Sequence, residues 1–316
     1  MENKKFNNEH LSEKCFICNN NFRYLFTHFD SYLKTSNKKF DIYKCTNCGL
    51  LKIFPEPTSQ EIQNFYPKEY YSFNSVNNNK FLEKIKNEIL GIHYKVKRKS
   101  LLMRLLAYIF INSINAVPLY YPKYNTKFLD IGCGDGYWID VLGKYGWECT
   151  GIELIGKKHE KIRIGNFLEM NFDEKYEFIR MSHVLEHVLN PEEYLFKIKS
   201  LLCDGGECHI SLPNTNSIYF KIFGKYWFAL DVPRHLHGFN NKNLKIMMGR
   251  AGLKIKSTCY NSRGSFGDGI RNFLNIQFGW HITDRFFIFM ILSLMVDKIF
   301  DFLKLGDSIT IIVENG

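Results

Sequence analysis

The stretch from 127 to 138 constrains the fold of this chain more than any other part of the sequence. It reads KFLDIGCGDGYW, so an apolar strand ends around Asp130 and the chain then turns through Gly132, Gly134 and Gly136 into a helix. Glycines at such a turn let the backbone adopt positive φ angles and approach a ligand closely. A strand, a glycine turn and a helix in this order are typical of nucleotide-binding α/β folds.

Strands and helices alternate from Lys127 onward, which predicts a largely parallel α/β sheet. The predicted strand cores are 127–131, 148–153, 177–181, 207–212 and 306–310, and the predicted helices lie near 136–145, 191–202 and 241–251. The predicted fold class is therefore a Rossmann-like α/β domain.

Three details of the glycine turn argue against a dinucleotide ligand. Asp130 immediately precedes the turn, and Gly136 follows Gly134 by two positions rather than three. Asp135 would place a negative charge beside a pyrophosphate. These details shift the balance away from NAD.

The segment Leu129–Gly136 resembles motif I of the class I S-adenosylmethionine-dependent methyltransferases. The resemblance implies that Gly132, Gly134 and Gly136 wrap the methionine end of S-adenosylmethionine and that Asp130 supports its ammonium group.

Later segments extend the resemblance. Glu153 ends the second strand, where family members hold both ribose hydroxyls. Asn166 stands where many members have an Asp that accepts a hydrogen bond from the adenine amino group, and Phe167 would flank the adenine ring. The segment 179–191, IRMSHVLEHVLNP, is similar to the fourth strand and its following loop, and it adds Ser182 to the expected cofactor site.

Four cysteines near the start of the chain predict a metal site. Cys15 and Cys18 form one C-x-x-C pair, and Cys45 and Cys48 form a second. Two such turns present four thiolates to one ion, which is the ligand set of a structural zinc site. The sequence predicts a small zinc ribbon over residues 13–57, with redox-active or free thiols as the alternative.

The segment 231–239, DVPRHLHGF, resembles part of the sugar- and glycan-pathway methyltransferases that carry the same ribbon. In related sugar C-methyltransferases a histidine at the position of His235 is the base, beside a tyrosine three residues earlier. This chain has Val232 at that earlier position, which leaves C- and O-methylation equally open.

Methyl transfer requires that the acceptor lose a proton, a task suited to a histidine. His235 is the first candidate for this base and His187 the second, with His183 and His237 behind them; each alone could be structural. The H-x-x-E-H reading of 183–187 resembles a zinc-protease signature, but its strand and loop context fits the methyltransferase fold instead.

The net charge of +10 is concentrated in the first part of the chain, where residues 1–125 hold 19 Lys and Arg against 10 Asp and Glu. Such a face attracts nucleic acid, anionic lipid or phosphorylated substrates, or it is simply a solvated surface. The predicted domains are the ribbon, a helical linker or cap at 58–122, and a methyltransferase domain at 123–316 with an apolar helical insertion at about 272–304.

The apolar run 286–296 is about eleven residues long and so too short to cross a bilayer. The segment 100–117 is similarly apolar but contains Arg104. Burial against the catalytic domain or a dimer partner is expected for both. Docking on a membrane surface, helped by the basic run Lys95–Lys99, is the alternative.

The predicted function is methyl transfer from S-adenosylmethionine to a small acceptor: a sugar, a nucleotide sugar or a lipid-linked glycan. No nucleic-acid partner is expected, and oligomerisation is left open. No secretory signal is visible, which favours the cytoplasm or its membrane surface. The alternatives are an RNA methyltransferase that grips RNA with the ribbon, and a non-catalytic interaction protein; the intact Asp130, three glycines and Glu153 argue against the latter.

Overall fold

The computed structural model describes residues 13–66, 80–93, 100–110, 126–156, 159–279 and 287–316. Its first part is a small antiparallel sheet of β1 (Phe22–Phe29), β2 (Lys39–Cys45) and β3 (Leu51–Phe54). The two C-x-x-C turns lie at one end of these strands. The basic run Lys95–Lys99 and the linker residues 111–122 lie outside the described residues.

The centre of the protein is a seven-stranded sheet, in which parallel strands dominate. Its strands are β4 (Lys127–Ile131), β5 (Glu148–Glu153), β6 (Ile162–Ile164), β7 (Tyr176–Ser182), β8 (Leu202–Pro213), β10 (Leu253–Asn261) and β11 (Ser308–Asn315). The spatial order is β10-β11-β8-β7-β4-β5-β6, and β11 runs antiparallel to both of its neighbours. The Rossmann-like fold class is confirmed, because the predicted strand cores lie in this sheet.

Helices connect the strands. They are α1 (Ser59–Asn64), α2 (Lys80–His93), α3 (Leu101–Phe110), α4 (Tyr137–Gly143), α5 (Pro191–Leu201), α6 (Ile218–Phe223), α7 (Asn241–Arg250), α8 (Ser265–Phe278) and α9 (Phe287–Phe302). Thr58 caps α1: its hydroxyl accepts the backbone N–H of Glu61, and the Glu61 carboxylate accepts the N–H of Thr58. This reciprocal pair of bonds satisfies two donors that a helix start otherwise leaves free.

The ribbon, residues 13–57, packs against a later part of the chain. A two-residue strand far along the sequence, β9 (His237–Gly238), pairs with β3 and completes a four-stranded sheet. Ile17 and Phe22 of the ribbon share one buried apolar cluster with Phe239 and Leu244. The ribbon and the large sheet therefore have a common core, and the predicted domain boundaries remain predictions.

The two apolar segments have different environments. Leu101, Leu102 and Leu105 of α3 are exposed in the single chain, so they are not buried against the catalytic domain, and burial against a dimer partner stays a prediction. In α9, Leu294 is buried while Met295 and Phe302 are exposed. None of the helices within the described residues is long and apolar enough to span a bilayer.

Candidate cofactor and acceptor site

The four ribbon cysteines converge on one point. All four sulfur atoms lie within 4.8 Å of one another, with Cys15 Sγ 3.6 Å from Cys48 Sγ and Cys18 Sγ 3.4 Å from Cys45 Sγ. Tetrahedral zinc with bonds of about 2.3 Å to sulfur requires sulfur–sulfur separations of this size. The cluster fits a small zinc site.

The glycine turn after β4 packs closely on its surroundings. Gly132 has a φ of 71°, and its N–H donates to the carbonyl of Ile152 over 2.8 Å. A Cβ atom at position 132 would lie 2.2 Å from Cγ2 of Val184. The turn therefore requires glycine here for its left-handed backbone and for the close approach of the loop that follows β7.

Glu153 lies at the carboxyl end of β5 beside this turn. Its carboxylate accepts the backbone N–H of Gly134 over 2.7 Å and that of Leu154 over 2.9 Å. Burial raises the pKa of Glu153, and the two N–H donors partly offset this effect. An ionised carboxylate has about four acceptor positions. Glu153 also receives a backbone hydrogen bond from Ile155, so part of its acceptor capacity remains for a ligand.

A cavity of about 250 Å³ opens at the carboxyl ends of these strands. This edge of an open α/β sheet is where ligands bind in such folds. Four of the predicted cofactor or catalytic residues line the cavity together with Gly132: Glu153, Phe167, Ser182 and His187. The wall is otherwise mainly apolar and aromatic.

Four other predicted cofactor residues do not line the cavity. Gly134 and Gly136 follow in the turn, and Gly136 is the N-cap of α4. Asp130 is fully buried and its carboxylate accepts a hydrogen bond from Arg180 over 2.7 Å. Asn166 caps its own helical turn by accepting the N–H of Leu168. Because neither Asp130 nor Asn166 lines the cavity, their roles in cofactor binding remain predictions.

His187 reaches the cavity from the short helical turn after β7. Its Nδ1 lies 3.0 Å from the carbonyl oxygen of Arg234 and 3.0 Å from the hydroxyl of Tyr66. A carbonyl oxygen only accepts hydrogen bonds, so the contact with Arg234 favours the tautomer with the proton on Nδ1 and the lone pair on Nε2. Burial and the nearby His235 lower the pKa of His187 to about 4, so the ring is neutral at pH 7.

His235, the first-ranked base, lies behind His187 rather than on the cavity wall. The two ring centroids are 4.5 Å apart, and Nδ1 of His235 bonds the carbonyl of Ala229 over 2.9 Å. Ligand atoms of Glu186, His187 and His235 lie within 4.8 Å of one another. Glu186 is buried and its carboxylate bonds His183 Nδ1 over 3.2 Å. Burial acts to raise the pKa of Glu186, but this hydrogen bond and the charges of the three neighbouring histidines together outweigh burial and lower the pKa to about 2.

The remaining histidine candidates have separate positions. His183 lines the cavity and has a φ of 56°, a left-handed backbone that is rare for residues other than glycine. His237 is buried in β9, away from the cavity. The 183–187 segment is a loop with one helical turn at 185–187, as the sequence context indicates.

Sequence reasoning missed two aromatic residues of the cavity wall. Tyr66 follows α1 and Tyr194 lies on α5, and both side chains line the cavity. Tyr194 has a ring centroid 5.3 Å from that of Phe167. Neither residue belongs to a motif, so only the fold brings them to the site.

Comparison with known proteins agrees with this architecture. Residues 94–258, more than half of the chain, match the family described as methyltransferase domain. A ubiquinone biosynthesis O-methyltransferase from Glaesserella parasuis serovar 5 is 28% identical over 137 residues, which cover 37% of this chain and 58% of that protein. The mitochondrial protein of the same name from Arabidopsis thaliana is 25% identical over 157 residues, which cover 43% and 49%. The matched segment thus spans about half of the length of these curated relatives.

Solved structures show only distant likeness. An S-adenosylmethionine-dependent methyltransferase from Mesorhizobium loti is 11% identical with a TM-score of 0.42, and the alignment covers 62% of this chain and 93% of that chain. A second one from Clostridium acetobutylicum is 10% identical with a TM-score of 0.39, and covers 76% and 99%. These scores support no statement about function. The family match does not depend on them, and by that match the chain belongs to the methyltransferase domain family, in which S-adenosylmethionine is the methyl donor.

Proposed function

We propose that the protein transfers a methyl group from S-adenosylmethionine to a hydroxyl group of a small acceptor. One observation carries the proposal: a single cavity is lined by Gly132, Glu153 and Phe167 together with His187. The first three residues occupy the expected cofactor positions. His187 is a neutral histidine with a free lone pair beside them.

The residues at this cavity fit the cofactor. The Glu153 carboxylate lines the cavity and keeps acceptor capacity for ribose hydroxyls. The Oγ atom of Ser182 is buried and has no hydrogen-bond partner among the described residues. A buried polar atom without a partner is costly, and a polar ligand in the cavity removes that cost. When bound, S-adenosylmethionine supplies an electrophilic methyl group on a sulfonium.

The chain's own residues then have two tasks. The cavity walls hold the acceptor oxygen in line with the methyl group, which makes the displacement effectively intramolecular. Nε2 of His187 accepts the acceptor's proton, because its Nδ1–H is committed to the Arg234 carbonyl. His235 and Glu186 lie behind this ring, and their charges affect the pKa of His187.

A sugar, nucleotide sugar or lipid-linked glycan is the acceptor that the 231–239 segment favours. A phenolic ring is the second candidate, for two reasons. The relatives are named O-methyltransferases of ubiquinone biosynthesis, and the cavity presents the aromatic rings of Tyr66, Phe167 and Tyr194, which pack favourably on an aromatic acceptor.

The test is incubation of the zinc-loaded protein with methyl-labelled S-adenosylmethionine and three acceptor panels: nucleotide sugars and glycolipids, catechols and other phenols, and total RNA. Label in the first panel supports the glycan proposal, and label in the second supports the phenolic one. Label in RNA alone would overturn both. Binding of the cofactor without label in any acceptor, even at millimolar concentrations, would favour a non-catalytic protein.

A further inference from the structure

The side chain of Arg234 is fully buried between the ribbon and the large domain. Its Nη1 and Nη2 atoms each lie 3.0 Å from one carboxylate oxygen of Asp30, a ribbon residue. Its Nε and Nη2 atoms also donate to Asp231, and Nη1 donates to the carbonyl of Phe65 over 3.3 Å. One guanidinium therefore joins three segments that are distant in sequence.

The buried carboxylate of Asp30 also has several hydrogen-bond donors. It is 1% exposed, and besides Arg234 it accepts the N–H and hydroxyl of Thr35 and the N–H of Leu33. Burial alone would raise its pKa, but the bonds from Arg234 and Thr35 outweigh burial and hold the pKa at about 2. The carboxylate is therefore ionised at neutral pH, and the bidentate pair with Arg234 is an ion pair.

Two of the three segments that Arg234 joins also contact His187. The main-chain carbonyl of Arg234 itself accepts the Nδ1–H of His187, and Tyr66, whose hydroxyl lies 3.0 Å from the same atom, directly follows Phe65. The same loop is also bonded to the residue that precedes His187, since the N–H of Leu236 donates to the carbonyl of Glu186 over 2.8 Å. The position of the Arg234 carbonyl decides which nitrogen of His187 carries the proton.

We propose that Arg234, held by Asp30 of the ribbon, is a positioning residue for His187. The ribbon anchors the 231–236 loop through this buried pair, the loop carbonyl holds His187 in its Nδ1–H form, and Nε2 is thereby kept as the proton acceptor. This inference rests on the proposed function for its kinetic consequence only. The tautomer of His187 is a property of the protein alone.

The experiment uses the full-length zinc protein. Removing one partner of a buried ion pair destabilises a protein strongly, whereas replacing both with apolar residues of similar volume is often tolerated. The main variant is therefore the double substitution Asp30→Leu with Arg234→Met. Arg234→Lys, which keeps the positive charge, is the conservative variant for comparison. Arg250→Met is the matched control, because exposed Arg250 also bridges to the ribbon, at the carbonyl of Phe16 over 2.8 Å.

Two readouts separate positioning from simple stability. Nitrogen-15 NMR of the histidines should show His187 as the Nδ1–H form in the wild type and in Arg250→Met, and a mixture of forms in the double variant. The kcat should fall about 10²-fold in the double variant, with cofactor affinity and zinc content unchanged, and Arg234→Lys should recover part of this loss.

A wild-type protein with His187 in the Nε2–H form would overturn the proposal even if every variant failed to fold. So would a double variant that keeps the wild-type tautomer and kcat. Full activity in His187→Ala would instead refute the base assignment of the proposed function, and it would leave the NMR result for Arg234 to be judged separately.

Discussion

The carboxylate of Glu153 accepts the backbone N–H of Gly134 over 2.7 Å, so the end of β5 is fastened to the glycine turn that follows β4. The same carboxylate faces the cavity. One side chain thus orders the turn and offers acceptor positions to a ligand.

We expect Glu153→Ala to weaken S-adenosylmethionine binding by about 1.5–3 kcal/mol, the range for hydrogen bonds to a charged group. Glu153→Gln should weaken it less, because the amide oxygen still accepts. Isothermal titration calorimetry with the cofactor or its demethylated product measures both. Equal affinity in wild type and Glu153→Ala would show that this strand end does not hold the ribose.

Gly132 and Gly205 have the same φ of 71°, but only a Cβ at position 132 would meet a neighbour. Gly205→Ala should cost about 1 kcal/mol of unfolding free energy, the strain of a left-handed alanine. Gly132→Ala should cost about 1–3 kcal/mol more, because it also pushes Val184 out of place. Urea denaturation measures both, and equal losses would show that the turn yields without strain. Pairing Gly132→Ala with Val184→Ala should recover part of the loss.

One zinc ion per chain should be found by elemental analysis of protein purified in reducing buffer, bound by the four ribbon cysteines. Cys45→Ser should lose the ion and lower the melting temperature of the whole protein, since Ile17 and Phe22 share a core with Phe239. Cys203→Ser, outside the ribbon, is the matched control and should keep the zinc. A protein without zinc, or one whose melting is unchanged by chelation, would contradict the prediction.

His187→Ala should lower the methylation rate by about 10²–10⁴-fold with unchanged cofactor affinity, because it removes the proton acceptor. His235→Ala should lower it less, because His235 acts on the ring of His187 rather than on the acceptor. This order reverses the ranking from sequence. If His235→Ala proves the more damaging variant, the acceptor enters from the other side and His235 is the base.

Stability should decrease as the pH falls from 6.5 towards 4. Burial lowers the pKa of His28, His187 and His237 to about 4 in the folded protein, against about 6.5 when unfolded. In this window the unfolded chain binds more protons, so acid favours unfolding. Urea denaturation at several pH values measures the slope. Asp301 and Asp307, whose pKa burial raises to about 6, act in the opposite direction over part of this window. The comparison of variants therefore isolates His237: His237→Leu should reduce the slope, and an unchanged slope would show that His237 has the same pKa in the folded and unfolded states.

The sequence predicts the strands of the large sheet well, because their apolar cores and glycine turns are local signals. It predicts the convergence of Glu153 and Phe167 through the family resemblance. It cannot place Tyr66 or Arg234, since both reach the site through contacts between segments more than a hundred residues apart. The ranking of His235 above His187 stays a prediction, although only His187 of the two lines the cavity. A motif gives the order of residues along a loop, and only packing decides which ring faces the cavity.

The pairing of Asp30 with Arg234 has a consequence for synthesis on the ribosome. The two residues are 204 positions apart, and chains grow at about 5–20 residues per second. For roughly 10–40 s, therefore, β9 is not yet available to the first three ribbon strands. During this time the edge of β3 has no strand to pair with, and the carboxylate of Asp30 has no Arg234 to pair with. Zinc can close the two cysteine turns during this interval, but the ribbon reaches its final form only when the 231–238 loop has left the ribosome.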